Sequence, residues 1–343
     1  MLLLKPRIWE EGLISFTRRM ASGLAVAAAV GFSSVCGVAV AQEAYPSRQI
    51  TLLVPYPAGG FVDIAARYLA DGLREQFKQP VVVLNRPGAN GKVALGELVR
   101  SAPDGYTLLV NNDGGIGIPP AADLKFPHVP EKDFVAIAQF ADAKYLLTVR
   151  SGLDVKNTAE LVEFARANPG KLTFGSPGLA TSPHMAMEML MRQTKTEMVH
   201  APYPGAAPAM TDLLKGVIDI LVNSVPGARS HLNSNTIRVL AVLDTQREKL
   251  APKVPTIEES GLKALPVNGW VGLFGPAGLP KGVIETLDNA IEAALANPEL
   301  VKKMAAAGAD ASFKGVNEFP NFYRTEVAKW KKFTDETGIK VGK

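Results

Sequence analysis

The chain has 343 residues, of which 47% are hydrophobic, 20% charged and 7% aromatic. This balance excludes an intrinsically disordered protein, and 31 glycines without a strict repeat exclude a collagen-like one. A net charge of +4 is too small an excess to predict nucleic-acid binding, and a single cysteine excludes a disulfide framework or a zinc cluster built on cysteines. We expect no metal and no cofactor.

Residues 1–41 are predicted to be a signal peptide. Basic residues that include Arg18 and Arg19 precede an uncharged apolar run from Leu24 to Val40, and residues 39–41 fit a cleavage site between small residues. The run is shorter than the roughly 20 residues of a membrane span. We therefore predict an exported, periplasmic protein whose mature chain does not span a membrane and lacks the lone Cys36.

After residue 45, predicted strands and helices alternate in two series. The first series has strands at 50–54, 81–84 and 107–110, with helices that carry Ala65, Leu69, Leu73 and Phe77 and then Leu95, Leu98 and Val99. The second has strands at 145–149, 172–174, 198–200, 218–222 and 237–242, with helices at 158–168, 183–193 and 206–216. Further helices are predicted at 282–296, 298–307 and 317–336. This order predicts two α/β domains with parallel strands, and C-terminal helices that pack back on the first domain.

Three loops follow predicted strands, where parallel sheets bind their ligands. In the first loop, residues 55–63, Gly59 and Gly60 allow a ligand to approach the backbone. The helix that begins near Phe61 directs free amides and a partial positive charge at the cleft, which favours an anion. The alternative is an ordinary tight turn in which Asp63 only complements the helix dipole.

The second and third loops, residues 175–184 and 201–208, have similar potential. The second combines hydroxyl groups, Ser176, Thr181 and Ser182, with another helix start, although simple helix capping is the alternative. In the third, Tyr203 can form a wall and Gly205 can donate an amide, unless the loop is only a rigid proline-rich connection. We expect the amides that follow Ala58 and Ser176 to face one crevice and to hold a carboxylate when the domains close.

Catalytic motifs are scarce. The chain has no G-x-S-x-G, H-E-x-x-H or P-loop motif, and the stretch Gly88–Lys92 has the wrong spacing for a phosphate loop. The four histidines are dispersed, but a nucleophile and base pair such as Ser176 with His184 would suit a secreted hydrolase or lyase. A third alternative is a soluble sensor domain that docks on a membrane partner.

The sequence resembles the substrate-binding receptors of tripartite tricarboxylate transporters, also called Bug-type receptors, over essentially all of 45–340. The matching segments are PYPAGGFVDIAAR (55–67), NRPGANG (85–91), APDGYTLL (102–109), FGSPG (174–178), YPGAAPAMTDLLKGVIDI (203–220), VPTIEESGL (254–262) and GWVGLFGPAGLPKGVIETL (269–287). So many collinear matches are far more specific than one glycine-rich loop.

The resemblance implies an α/β, two-lobed type II periplasmic binding-protein fold. Each lobe is expected to be a mainly parallel sheet flanked by helices, with two crossovers between the lobes. Lobe one is predicted at 42–142 plus 267–343, and lobe two at 143–266. The implied function is capture of a small carboxylate or related polar molecule, without catalysis, for delivery to an inner-membrane permease.

The resemblance also implies a set of ligand-binding residues. They are Tyr56, Ala58, Gly59, Gly60, Phe61, Asp63, Asn112, Ser176, Thr181, Ser182, Tyr203, Gly205 and Trp270. Phe61 stands where small or hydroxyl residues are common, which argues against a citrate-like ligand unless the ring packs inside a lobe. Asp113 would repel a second carboxylate and favour an amine or hydroxyl if it faces the cleft, whereas a solvated Asp113 would have no such effect.

Overall fold

A computed structural model describes residues 45–121, 126–265, 267 and 269–338, so the predicted signal peptide lies outside the described residues. The strands of this part of the chain are β1 (Ile50–Val54), β2 (Val81–Asn85), β3 (Thr107–Asn112), β4 (Phe134–Ala143), β5 (Tyr145–Arg150), β6 (Thr173–Ser176), β7 (Val199–Pro202), β8 (Ile220–Ser224), β9 (Ile237–Val242), β10 (Gly269–Pro276) and β11 (Asp310–Lys314). The α-helices are α1 (Phe61–Phe77), α2 (Lys92–Arg100), α3 (Ile118–Ala121), α4 (Thr158–Ala167), α5 (Ser182–Thr194), α6 (Ala206–Lys215), α7 (Val225–Ala228), α8 (Lys281–Leu295), α9 (Pro298–Ala306) and α10 (Phe319–Thr337).

The first sheet has six strands in the order β11-β4-β10-β3-β1-β2. The strand β1 pairs in parallel with β2 and β3, whereas β10 runs antiparallel to β3 and β4. The helix α1 buries its apolar stripe, which includes Leu69 and Leu73, against this sheet. Gly72 lets α8 pack closely on α1, because a Cβ atom there would lie 2.7 Å from the Cβ of Ala294. The prediction that C-terminal helices pack on the first domain is therefore confirmed.

The second sheet has five strands in the order β7-β6-β8-β5-β9. The strand β6 pairs in parallel with β7 and β8, and β5 runs antiparallel to β8 and β9. The eight predicted strands and the two-lobed α/β architecture are thus confirmed. Both sheets are mixed, however, and not mainly parallel. In the first sheet the difference comes from β4, β10 and β11, which the sequence analysis did not identify.

The two sheets are joined by adjacent chain connections. Only Lys144 separates β4 from β5, and the chain returns between Val242 and Gly269. The Lys144 ammonium group donates to the carbonyls of Gln246 and Arg247 on the returning segment, at 3.2 and 2.9 Å. The two connections between the sheets therefore lie side by side.

The last helix, α10, packs on both lobes. Its first half places Phe319 and Tyr323 in a core with β10, and its second half places Trp330 in the core of the second sheet. Within the described part of the chain, no helix is both long and apolar enough to cross a bilayer.

Candidate ligand-binding cleft

Three helices from both lobes begin at one cavity between the sheets. The helix α1 follows β1, and its first backbone bond runs from the Ile64 amide to the Gly60 carbonyl, at 3.0 Å. The helix α5 follows β6, with the corresponding bond from Met185 to Thr181 at 2.9 Å, and α6 follows β7 with Gly205 as its N-cap. Amides ahead of these bonds have no partner within their helix, and the helix dipoles add positive potential. The cavity is therefore suited to an anion.

This narrow cavity has a volume of about 40 Å³. It is lined by Tyr56, Gly60, Phe61, Val62, Asn112, Tyr145, Pro177, Thr181, Pro183, Ala206, Asn223 and Ser224. None of these lining residues carries a charged side chain. A cavity needs at least roughly 10–15 Å³ to hold one water, so this space accepts only a group of a few atoms, such as a carboxylate.

Neutral side-chain donors complete the narrow cavity. The Tyr56 hydroxyl donates to Oδ1 of Asn112 at 3.0 Å. Burial, and secondarily the nearby Asp113, raises the pKa of both Tyr56 and Tyr145, so these phenols stay protonated. Asn223 is only 1% exposed, and its Nδ2 has no hydrogen-bond partner among the described residues. Such an unpaired buried donor requires an explanation, and a bound acceptor supplies one.

A second, wide cavity of about 360 Å³ adjoins the first and shares Tyr56 and Pro177 with it. Its lining residues are Pro55, Tyr56, Gly88, Ala89, Gly91, Lys92, Pro177, Gly178, Leu179, Pro202, Tyr203 and Pro204. Lys92 is the one charged residue in this lining. The cleft thus continues from an uncharged inner end to an outer end with a positive charge.

The lobes touch each other around the cleft. A Cβ atom on Gly205 would lie 2.8 Å from Cδ of Pro57, so the third loop packs directly on the first. Similarly, a Cβ atom on Gly114 would lie 3.1 Å from Cγ2 of Thr181. These contacts join opposite lobes.

The family pattern of the tripartite tricarboxylate transporter family receptor matches residues 65–339. The chain belongs to this family. A UPF0065 protein from the tcbD-tcbE intergenic region of Pseudomonas sp. strain P51 is 35% identical over 93% of this chain and 94% of its own length. The protein BugT of Bordetella pertussis is 32% identical over 90% of this chain and 96% of its own.

Solved structures agree with this assignment. A Rhodopseudomonas palustris protein with adipate superposes with a TM-score of 0.83 at 29% identity, and covers 86% of this chain and 99% of its own. The protein MatC from the same organism, with bound malate, gives a TM-score of 0.78 at 26% identity, and covers 84% of this chain and 99% of its own. The expected resemblance to Bug-type receptors is therefore confirmed.

The structure of this family member brings together about half of the predicted ligand-binding residues. Those that line the two cavities are Tyr56, Gly60, Phe61, Asn112, Thr181 and Tyr203. Phe61 also packs in the core of the first lobe, as its alternative interpretation required. Its effect on the choice of ligand stays a prediction. Residues that do not line either cavity are Ala58, Gly59, Asp63, Ser176, Ser182, Gly205 and Trp270. Contact of any of these residues with a ligand stays a prediction.

The first loop is braced by Asp63, and this changes which amides are available. The Asp63 carboxylate accepts from the Gly59 amide, the Arg67 guanidinium and the Asn85 amide group, each at 2.9 Å. Burial alone would raise the pKa of Asp63, but the bonds from Arg67, Gly59 and Asn85 outweigh it and lower the pKa. The amide after Ala58 is therefore occupied, contrary to expectation.

In the second loop the residue after Ser176 is Pro177, which has no backbone N–H to donate. The next amide, of Gly178, donates to the Ser176 hydroxyl at 3.2 Å. The residues that line the narrow cavity are instead Gly60, Phe61 and Val62 of the first loop and Thr181 of the second. The two amides named in the prediction are therefore the wrong ones.

Neither Asp113 nor Trp270 lines either cavity. Burial raises the pKa of Asp113 well above its usual value, with a further contribution from Glu326, and this favours the uncharged form. Asp113 is only 1% exposed, so it is not solvated as the alternative required. Trp270 is fully buried and makes edge contacts with the rings of Phe319 and Tyr323.

Ser176 does lie close to a histidine, but to His200 and not to His184. Its hydroxyl is 2.7 Å from Nε2 of His200 and also donates to the Gly178 carbonyl at 2.9 Å. The His200 ring stacks on His184 with centroids 4.0 Å apart, and Nδ1 of His184 accepts from the Ala180 amide at 3.2 Å. Ser176 is 0% exposed. The contacts among Ser176, His200 and His184 therefore stabilise the second loop from inside the lobe.

We expect the half-buried His200 to make stability depend on pH. Burial, followed by the neighbouring His184, lowers the pKa of His200 from 6.5 to about 3. Between these values the unfolded chain binds a proton that the folded protein does not, so the free energy of unfolding falls as the pH drops. The contribution is at most about 1.4 kcal/mol per pH unit, and solvent around the half-buried ring reduces it. Urea unfolding of wild type and His200→Gln between pH 7 and pH 4 measures it.

In His200→Gln the unfolding free energy should depend less on pH than in wild type, whereas His231→Gln should show the wild-type dependence. His231 is the matched control because it lies in the same lobe and its ring contacts only Thr236 among the described hydrogen bonds. An unchanged dependence of unfolding free energy on pH in His200→Gln would contradict the assignment of a neutral His200.

The sequence analysis missed several residues that line the narrow cavity. Asn223 and Ser224 end β8, so the rule applied to the other strand ends would have found them. Tyr145 begins β5 and is paired with Ser224 in antiparallel register, which brings it to the same edge. Its position could not be predicted without knowing that pairing.

Proposed function

We propose that this protein is a periplasmic receptor that closes two lobes over a small carboxylate-bearing molecule and delivers it to an inner-membrane transporter. Lobe one consists of residues 42–142 and 267–343, lobe two consists of residues 143–266, and the signal peptide 1–41 directs export. The receptor releases its ligand unchanged and catalyses no reaction.

The observation that carries this proposal is the convergence of three helix starts on one uncharged cavity. The helices α1, α5 and α6 direct their N-terminal ends at a space of carboxylate size. Asn223 contributes an unpaired buried donor, and protonated Tyr145 lines the same space. A carboxylate can satisfy these donors together, while a cation would face them without any acidic partner in the lining.

The relatives support an organic acid as the ligand. Two family-like structures were solved with adipate and with malate, and both superpose over most of this chain. A hydrogen bond to a charged group contributes about 1.5–3 kcal/mol. Three or four such bonds reach about −8 kcal/mol, which corresponds to micromolar affinity.

A thermal-shift panel tests the proposal. The exported protein is heated with mono-, di- and tricarboxylates, amino acids and aromatic acids, and with the matching amides as uncharged controls. At a hundredfold excess over Kd, a bound ligand stabilises by about 2.7 kcal/mol, so at least one acid should raise the melting temperature by several degrees. The recovered acid should be chemically unchanged. If no acid shifts the melting temperature, the receptor function is contradicted.

The alternative of a hydrolase or lyase has one observation in its favour, the 2.7 Å separation of Ser176 and His200. Full burial of Ser176 opposes it, because a substrate cannot reach the hydroxyl in this arrangement. The test is incubation with p-nitrophenyl esters of short acids. Turnover that disappears in Ser176→Ala would establish the alternative, and a rate equal to buffer would exclude this version of it.

A further inference from the structure

We infer that Asp113 takes up a proton from solvent when the lobes close over the ligand, so that capture and release of the ligand depend on pH. This inference rests on the proposed carboxylate receptor. It assigns a role to a buried carboxyl group that lines neither cavity.

Asp113 lies at the junction of the two lobes. It begins a single π-helical turn, Asp113–Gly117, directly after β3 of lobe one. Gly114 of this turn packs on lobe two, since a Cβ atom there would lie 3.1 Å from Cγ2 of Thr181. Tyr145 of lobe two is also near, because burial, and secondarily the charge of Asp113, raises the pKa of its phenol. Lobe two therefore helps to enclose Asp113.

The carboxyl group of Asp113 is buried with one oxygen unpaired. The side chain is 1% exposed, and its Oδ1 accepts from the Gly114 amide at 2.8 Å. Its Oδ2 has no hydrogen-bond partner among the described residues. Burial of an ionised carboxylate without full pairing is costly, so such a group binds a proton instead.

The groups that face Asp113 also favour its protonated form. Glu326 of α10 places a second carboxylate nearby. The Lys329 ammonium group, which could offset both charges, donates to the two carboxylate oxygens of Glu326 at 2.7 and 2.6 Å. The other facing groups, Tyr56 and Tyr145, are uncharged phenols. Burial first, and then Glu326, therefore raises the pKa of Asp113 well above its ordinary value.

The turn that carries Asp113 is joined to the narrow cavity. Asn112 is the N-cap of the turn, and its Oδ1 accepts from the Gly115 amide at 3.3 Å and from the Tyr56 hydroxyl at 3.0 Å. Both Asn112 and Tyr56 line the narrow cavity. The Tyr323 hydroxyl of α10 donates to the Ile116 carbonyl at 2.9 Å and holds the other end of the turn. A ligand that orders the cavity therefore also orders this turn.

Opening of the lobes changes the environment of Asp113. It withdraws Thr181 and Tyr145 from the turn and admits water to the carboxyl group. A hydrated aspartate has a pKa of about 3.9 and is ionised near neutral pH. Closure then encloses the carboxylate, which takes up one proton, and the proton returns to solvent when the lobes open. A ligand that favours the closed state is therefore bound more tightly at lower pH.

Calorimetric titration in two buffers measures this proton. Malate, which is bound in a similar structure, and the acid with the largest thermal shift in the panel are titrated at pH 6.5 in MES and in imidazole. The heats of ionisation of these buffers differ, so the difference in binding heat gives the number of protons taken up. Wild type should take up close to one proton for each acid bound. Its affinity should rise by up to about tenfold for each unit by which the pH falls.

Two variants assign the proton to Asp113. Asp113→Asn keeps the shape of the side chain without a charge, so it should bind the same acid without proton uptake and with little change between pH 6.5 and pH 7.5. Asp154→Asn removes a carboxyl group from an exposed site in lobe two and should behave like wild type. Infrared difference spectra of wild type need no variant, and binding should add the C=O band of a protonated carboxylic acid.

The outcomes separate this inference from the receptor proposal. Binding of an acid by wild type without proton uptake, or equal uptake in wild type and Asp113→Asn, would overturn the inference and leave the receptor proposal intact. Failure of wild type to bind any acid of the panel would overturn both.

Discussion

Replacing Asn223 by aspartate is expected to weaken carboxylate binding at least a hundredfold. Nδ2 of Asn223 is buried in the second lobe without a partner among the described residues, and the side chain lines the narrow cavity. Aspartate has the same shape but loses the donor, which removes about 1.5–3 kcal/mol, and its negative charge would repel a bound carboxylate. The two effects act in the same direction. Calorimetric titration with the best acid of the panel measures the change.

Two variants give this result its meaning. Asn223→Leu removes the donor without adding a charge, so it should fall between wild type and Asn223→Asp. Asn321→Asp makes the same chemical change at an exposed site in the first turn of α10 and should bind like wild type. The substituted carboxyl at 223 should also regain affinity as the pH is lowered and it becomes protonated. Equal affinities for wild type and Asn223→Asp would remove Asn223 from the binding site.

Strands that are short aliphatic runs ending in recognisable turns could be predicted, whichever way they pair. Residues 50–54, in parallel pairs, and residues 237–242, in an antiparallel pair, were predicted with their observed bounds. The strands β4, β10 and β11 of the first sheet were missed. In β10 every residue is buried, so the polar alternation typical of antiparallel strands is missing, and its glycines resemble a loop. Only one residue separates the end of β4 from the start of β5. The sequence therefore has no loop there to indicate where the chain passes from one lobe to the other.

In the site, too, features set by neighbouring residues could be predicted, and features set by strand pairing could not. Gly60, Phe61 and Thr181 were predicted because helix starts after strands are visible in sequence. The hydrogen bond from the Gly59 amide to Asp63 is also local, because the two residues are only four apart in the sequence. It could therefore have been predicted. In contrast, the stacking of His184 on His200 and the partnership of His200 with Ser176 depend on the pairing of β6 with β7. No pattern in one sequence identifies which histidine a serine meets.

In the proposed receptor, lobe closure links these observations to ligand capture. The contacts that line the cavity come from both lobes, while the connections between the lobes lie side by side at Lys144 and the returning segment. A ligand held by α1 on one side and by α5 and α6 on the other favours the closed state by its differential affinity. The helix α10 also connects the lobes, because its two halves pack in different cores.

Truncation of Trp330 to alanine is therefore expected to cause the largest loss of stability, about 3–5 kcal/mol. The ring is 1% exposed, packs in the core of the second sheet and contacts Phe333 edge-on at 5.9 Å. Its Nε1 has no partner among the described residues, so Trp330→Phe keeps most of the packing without losing a hydrogen bond and should cost much less. Lys331→Ala, at an exposed position of the same helix, controls for helix propensity. Urea unfolding measures all three, and a Trp330→Ala loss below about 1 kcal/mol would show that α10 does not fasten the second lobe.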